Sequence, residues 1–234
     1  MNICIIHYNT PELTEALVKS INKQVKGETN IYIFDNSDQR PFTYTQSNLV
    51  VFNNTKGQLI DFEKELSKYP DHGNEGSGKC VSFKHCISVD KCFDLIGDDF
   101  ILLDSDILLK KDISPLWDEE CVFVGKIVPS LRGMTRIAPF LCFIGVKKCI
   151  QCGIRYFNPR YMHGLCKRDD VNDGNNYDTG AAFLMFSSKY YYKEVDIYEY
   201  IVHYGSASWP SPENDENKIS KENWLLKNKE YYCD

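Results

Sequence analysis

The chain has 234 residues, with 27 Lys and Arg against 33 Asp and Glu and a net charge of -6 at pH 7. That balance argues against general nucleic-acid binding, though not against a nucleotide held through a metal. A hydrophobic content of 43% supports a real core for one large domain, or one domain with a sizeable subdomain, and no run of 18 apolar residues offers a transmembrane helix.

In chain order, Ile3 to His7 is a short apolar run and reads as a first strand. Thr10 can cap a following helix, Pro11 suits its first position and Glu12 its positive dipole end. Leu13, Ala16, Leu17 and Ile21 repeat at helical spacing, so the helix covers roughly residues 11–24. Ile31 to Phe34 gives a second strand, ending at Asp35-Asn36-Ser37-Asp38. Short connections imply a parallel strand–helix–strand unit. Leu49 to Phe52 reads as a third strand, and Leu59, Phe62, Leu66 and Tyr69 have helical spacing. The Gly-rich loop from Pro70 to Gly78 lacks the Walker ending and reads as a connector. A helix from Lys79 to about Phe93 follows, with Cys80, Phe83 and Ile87 on its inner face.

Phe100 to Leu109, FILLDSDILL, is the stretch around which the rest is arranged. Its apolar start fits a buried strand of a mostly parallel sheet. Asp104 and Asp106 then fall at the strand's carboxyl end, where open α/β sheets bind ligands. Carboxylates two apart on a turning chain can converge on Mg2+ or Mn2+, with Ser105 letting the backbone come close. Taken alone, the pattern fits acidic turn residues closing a strand better than a metal site.

Val122 to Gly125 and Phe140 to Val146 look like strands, with Arg132 and Arg136 in the loop between them. These arginines could meet a diphosphate or an acidic acceptor, or be ordinary surface residues. Residues 147–177 read as irregular. Tyr177 to Ala182 is a polar turn feeding an apolar element at Phe183 to Phe186, and Val195 to Val202 leads into His203-Tyr204-Gly205-Ser206. The last 24 residues are charged, with a weakly amphipathic helix candidate around Trp224, Leu225 and Leu226. Trp209, Trp224 and Tyr190-Tyr191-Tyr192 could stack on sugars or touch a membrane, with core packing the commoner role.

There are ten cysteines. Cys4, Cys86 and Cys142 lie in apolar runs and read as small hydrophobes. Cys149, Cys152, His163 and Cys166 have zinc-compatible types and spacing, although ten cysteines make such pairs common by chance. The N-terminus lacks a basic n-region, so the expected setting is the cytoplasm with reduced thiols.

Three features occur together: a strand–helix–strand ending in Asp-Asn-Ser, an apolar strand ending in Asp-Ser-Asp, and a late His-Tyr-Gly. In this combination the chain resembles nucleotide-sugar glycosyltransferases of the GT-A fold, and in its first 110 residues the bacterial family 2 enzymes. The resemblance implies an α/β, Rossmann-like, mixed but mostly parallel sheet flanked by helices. It implies a GT-A domain over 1–210, with a nucleotide-binding half at 1–110 and an acceptor-binding half at 111–210, then a charged tail at 211–234. Asp35 and Asn36 take the place of the nucleotide-recognising residues. Asp104 and Asp106 take that of the Asp-x-Asp, and His203 that of the histidine completing the metal shell. Ser105, Gly205 and Ser206 would lie against the diphosphate.

The implied donor is a UDP- or GDP-sugar. The implied acceptor is a glycan or lipid-linked glycan, reached from the cytoplasm or the inner face of the membrane, with peripheral contact and no nucleic acid. Phe34 stands where a second acidic residue is usual, and no Glu-Asp catalytic pair is evident. Asp178 is the candidate base, although a turn aspartate capping the next element explains it nearly as well. His203 must be neutral to ligate, so activity is expected to fall below about pH 6. A nucleotidyltransferase and a non-catalytic binding protein are the rival classes. The first is disfavoured by His7-Tyr8-Asn9-Thr10-Pro11 where a Gly-rich basic loop is expected, the second by the presence of all three ligands.

Overall fold

The computed structural model describes residues 1–69, 78–129, 135–159, 179–205 and 220–233, with backbone only for 78–81. The elements are β1 (Asn2–His7), α1 (Pro11–Gln24), β2 (Asn30–Asp35), β3 (Leu49–Asn53), α2 (Phe62–Ser67), α3 (Gly78–Ile96), β4 (Phe100–Asp104) and β5 (Ile107–Leu109). They continue with β6 (Phe123–Pro129), β7 (Thr135–Ile144), α4 (Val146–Gln151), α5 (Ala181–Ser187), β8 (Tyr192–Glu194), β9 (Ile201–His203) and α6 (Lys221–Lys227). Seven strands form one sheet in the order β3-β2-β1-β4-β7-β6-β8, and β5 pairs with β9 in a second, two-stranded sheet. The first four strands of the large sheet are mutually parallel, and β7 runs antiparallel to both β4 and β6.

Period-two alternation divides the parallel strands between two core layers. Ile3, Ile5, Ile31, Ile33, Ile101 and Leu103 pack with Leu17, Val18 and Ile21 of α1. Cys4, Ile6, Phe34, Phe100 and Leu102 pack with Cys86, Val89, Cys92 and Phe93 of α3 and Phe183 of α5. Cover on both faces is why the strands read as unbroken apolar runs.

Several expectations are revised. Helix α3 extends to Ile96; Phe83 is buried and Ile87 packs, partly buried, against the core as expected, with Cys86, Val89 and Phe93 buried beside them. Strand β7 already begins at Thr135, so Arg136 is a strand residue opposite Val128, not a loop residue. The stretch expected to be irregular starts with α4, which buries Val146 and Cys149. Val195 to Val202 is not one element, because a 3-10 turn at Ile197–Glu199, capped by the Asp196 carboxylate, separates β8 from β9.

The tail's helix α6 is capped by Ser220, and its Trp224 is 8% exposed among Leu13, Ala16 and Leu108. Trp224 is therefore a packing residue. Tyr190 and Tyr191 remain exposed, and Tyr192 stacks on Phe123.

Candidate active site

The order of the sheet reverses at β1. The chain leaves it through α1 toward β2 and β3 on one side, while β4 lies on the other. The carboxyl ends of β1 and β4 thus meet at a topological switch point, where such sheets bind ligands.

Strand β4 ends at Asp104, the chain turns, and β5 starts at Ile107. Ile107 pairs with His203, and the Tyr204 N–H donates to the Asp106 carbonyl at 2.9 Å. This ladder brings together two residues 97 positions apart in sequence. His203 Nε2 stands 3.3 Å from Asp106 Oδ1, the side chains being 23% and 9% exposed. The Phe140 ring stacks on His203 at 4.4 Å between centroids and fixes its plane.

Ser105 is buried, and its hydroxyl meets that of Thr10 at 3.1 Å. Thr10 sits at the N-cap of α1 as expected, but it makes no side-chain cap, because its hydroxyl is directed to the Asp-Ser-Asp turn instead. Gly205 has φ +79, a backbone conformation that favours glycine, and no atom of the described residues lies within 4 Å of where a Cβ would be.

Asp104 is drawn elsewhere. Its Oδ1 accepts a hydrogen bond from His85 Nε2 of α3 at 3.0 Å. Among the described residues, no three His, Cys, Asp or Glu side chains stand together as a metal-binding group. The structure joins Asp106 to His203 and Asp104 to His85.

Asp35 ends β2 as expected, and its carboxylate is turned inward to the backbone of the following loop. It is 1% exposed, and its oxygens accept the backbone N–H groups of Ser37 at 2.9 Å and Phe42 at 2.8 Å. It holds the loop after β2. Asn36 links three elements: its amide nitrogen donates to Ser88 of α3 at 2.8 Å, and its oxygen accepts from Asn54 at 3.0 Å.

Asn9, at φ +52, closes the other side of the loop by accepting from the backbone N–H groups of Gln39 and Arg40. It also donates to Asp38, and that bond is the main cause holding the Asp38 carboxyl below its usual range. Beneath it, the Thr14 hydroxyl donates to the Thr10 carbonyl, so buried His7 donates from Nδ1 to Thr14 at 2.7 Å. Burial lowers the pKa of His7, against the opposing pull of Asp35, whose Oδ1 is 3.9 Å from Nε2.

No protein-family model and no curated protein matches the sequence. Solved structures do. The galactosyltransferase LgtC, in complex with donor and acceptor sugar analogs, aligns with TM-score 0.50 and 12% identity over 84% of this chain and 74% of that one. Mouse xyloside xylosyltransferase 1, in its apo form, aligns with TM-score 0.51 and 11% identity over 84% of this chain and 86% of that one. The chain has the GT-A glycosyltransferase fold.

Within this GT-A fold the donor chemistry can be tested against a divalent cation. Ligands at adjacent corners of an octahedral shell with bonds of about 2.0–2.1 Å stand about 3 Å apart. The 3.3 Å between Asp106 and His203 is close to such an edge, and the carboxylate of the pair is a donor that suits Mn2+ or Mg2+. As two ligands of such an ion the pair fits.

Asp178 and Ser206 lie outside the described residues, as do Arg132, His163, Cys166, Trp209 and loop residues 70–77. Of the zinc-compatible set, Cys149 is buried, and burial pushes its thiol up to about 12.

The residue missed in the sequence is His85. A signal for it existed. His85 and Ser88 form a polar i, i+3 pair on α3, and they reach the ends of β4 and β2 respectively.

Proposed function

We propose that the chain is a metal-dependent glycosyltransferase that moves a sugar from a UDP- or GDP-sugar to a glycan or lipid-linked acceptor, in the synthesis of a surface polysaccharide. The observation that carries this reading is the Asp106–His203 pair at 3.3 Å, held by the β5–β9 ladder at the switch point of a GT-A sheet.

In this reading Asp104, Asp106 and His203 hold Mn2+ or Mg2+. When bound, the cation supplies a Lewis acid that offsets the charge building on the departing diphosphate. Ser105, Gly205 and Ser206 line the diphosphate. Asp35, Asn36 and Asn9 keep the two loops beside the nucleoside end in shape. Asp178 accepts the proton of the acceptor hydroxyl if the configuration inverts. The eight described cysteines are all free thiols, which fits work in the reducing cytoplasm. No helix among the described residues is long and apolar enough to cross a membrane, so contact with the inner face of the membrane would be peripheral.

The test is calorimetric titration with UDP and with GDP, each with and without Mn2+, on the native chain and on Asp106→Ala. The expected result is metal-dependent binding of one nucleotide, lost in the variant. Binding of neither nucleotide with metal present would overturn the site and favour a non-catalytic role for the fold.

A further inference from the structure

We infer that His85 is a positioning residue, which holds the Asp104 carboxylate in place for the metal and the diphosphate. This rests on the reading of Asp104, Asp106 and His203 as the metal site.

The geometry fixes the direction of the bond. An ionised carboxylate only accepts, so the proton between His85 Nε2 and Asp104 Oδ1, 3.0 Å apart, belongs to the imidazole. The other ring nitrogen, Nδ1, is buried and makes no hydrogen bond among the described residues. A buried N–H without an acceptor is the rarer and costlier defect, so Nδ1 is best left bare. Both conditions select one tautomer, with hydrogen on Nε2.

The ring of Tyr156, which has no exposed surface, lies 6.3 Å from that of His85. His85 and Asp104 themselves are 15% and 25% exposed, at the edge of the crevice.

Asp104 needs such a partner. It is the last residue of β4, in register with Ile6 of β1, whose apolar side chain offers it no hydrogen bond. One hydrogen bond occupies one of roughly four lone-pair sites on a carboxylate, so the others stay available for a ligand. Partners that hydrogen-bond a ligating carboxylate set its orientation, and their loss typically weakens metal binding by about 10–100-fold.

The experiment measures Mn2+ binding by the loss of the free-ion electron paramagnetic resonance signal, in the presence of UDP and separately of GDP. The proteins are the native chain, Asp106→Ala, His85→Ala, His85→Gln and His85→Asn, with thermal melts alongside. The amide nitrogen of glutamine reaches the position of Nε2, whereas that of asparagine reaches only that of Nδ1.

The expected result is Mn2+ affinity reduced by about 10–100-fold in His85→Ala and His85→Asn, with most of it restored in His85→Gln. Native affinity in His85→Ala, or equal weakening in all three His85 variants, would overturn the inference while leaving the metal site standing. No Mn2+ binding by the native chain, or undiminished binding by Asp106→Ala, would remove the metal site itself and this inference with it.

Discussion

At the scale of the residue, Asp35 shows how a strand-end carboxylate can be used by the protein itself. Both oxygens accept backbone N–H groups and the residue is buried, so Asp35→Asn sets an amide NH2 against one of those donors. The expected loss is about 1–3 kcal/mol of stability, read from the urea midpoint, whereas a residue kept only for ligand contact would show none.

Asp90 of α3 gives the pH counterpart. It accepts the N–H groups of Tyr156 and Phe157, yet burial outweighs both and pushes its carboxyl up to about 7. The folded chain then holds this proton more tightly than the unfolded chain, whose carboxyl titrates near 4. Its stabilising contribution is present below about pH 4 and is lost as pH rises to about 7. Urea midpoints between pH 4.5 and 8 should show the native chain losing stability relative to Asp90→Asn, by at most about 1.4 kcal/mol per pH unit. Parallel curves would contradict the raised carboxyl.

The difference between Asp35 and Asp106 was not legible in the sequence. Both follow apolar strands and both are buried, and only the loop that returns to Phe42 shows that the oxygens of Asp35 are taken up by backbone N–H groups. That His203 meets Asp106 was implied by the resemblance of His-Tyr-Gly to the GT-A motif, and not by the residue type alone.

At the scale of the element, the long strands were legible and the short ones were not. Strands β1, β2 and β4 are buried on both faces and announce themselves as apolar runs. β5, β8 and β9 have three residues each, too few for any period to register, yet β5 and β9 carry the pairing on which the Asp106–His203 contact depends.

Helix α5 starts from Gly180 at φ +83, where a Cβ would strike the carbonyl of Ile137 in β7. Gly27 has a similar φ of +90 with nothing within 4 Å. Alanine at position 27 should therefore cost only the left-handed strain, about 1–2 kcal/mol. Alanine at position 180 should cost more, because β7 or α5 must also shift. Thermal unfolding of the two variants tests the comparison, and equal losses would mean that the junction of α5 with β7 yields easily.

At the scale of the whole molecule, the C-terminal segment closes back on the start of the chain. Lys23 and Gln24 donate to backbone carbonyls at Cys233 and Tyr231, and Trp224 packs on Leu13 and Ala16 of α1 and on Leu108 of β5. The strand that begins one residue after Asp106 is thus supported from beneath by α1 and α6. The charged composition with its weakly amphipathic helix candidate left the place of this segment open, and one buried tryptophan with its neighbours suffices to dock it.

Support and ligand binding can be separated by experiment. Trp224→Ala should cost about 3 kcal/mol, the lower end for a buried tryptophan because the ring retains some exposure. A ligand that binds only the folded chain stabilises it by about 2.7 kcal/mol at a hundred times its Kd, whatever the starting stability. For a chain of this length each kcal/mol moves Tm by about 2–4 °C, so the correct nucleotide with Mn2+ should raise it by about 5–10 °C. Trp224→Ala should start from a lower Tm and, at the same multiple of its own Kd, keep that increment. Asp106→Ala should start near the native Tm and lose it. If Trp224→Ala binds the nucleotide much more weakly than the native chain, then α6 does more than support β5, and the docked segment belongs to the binding site.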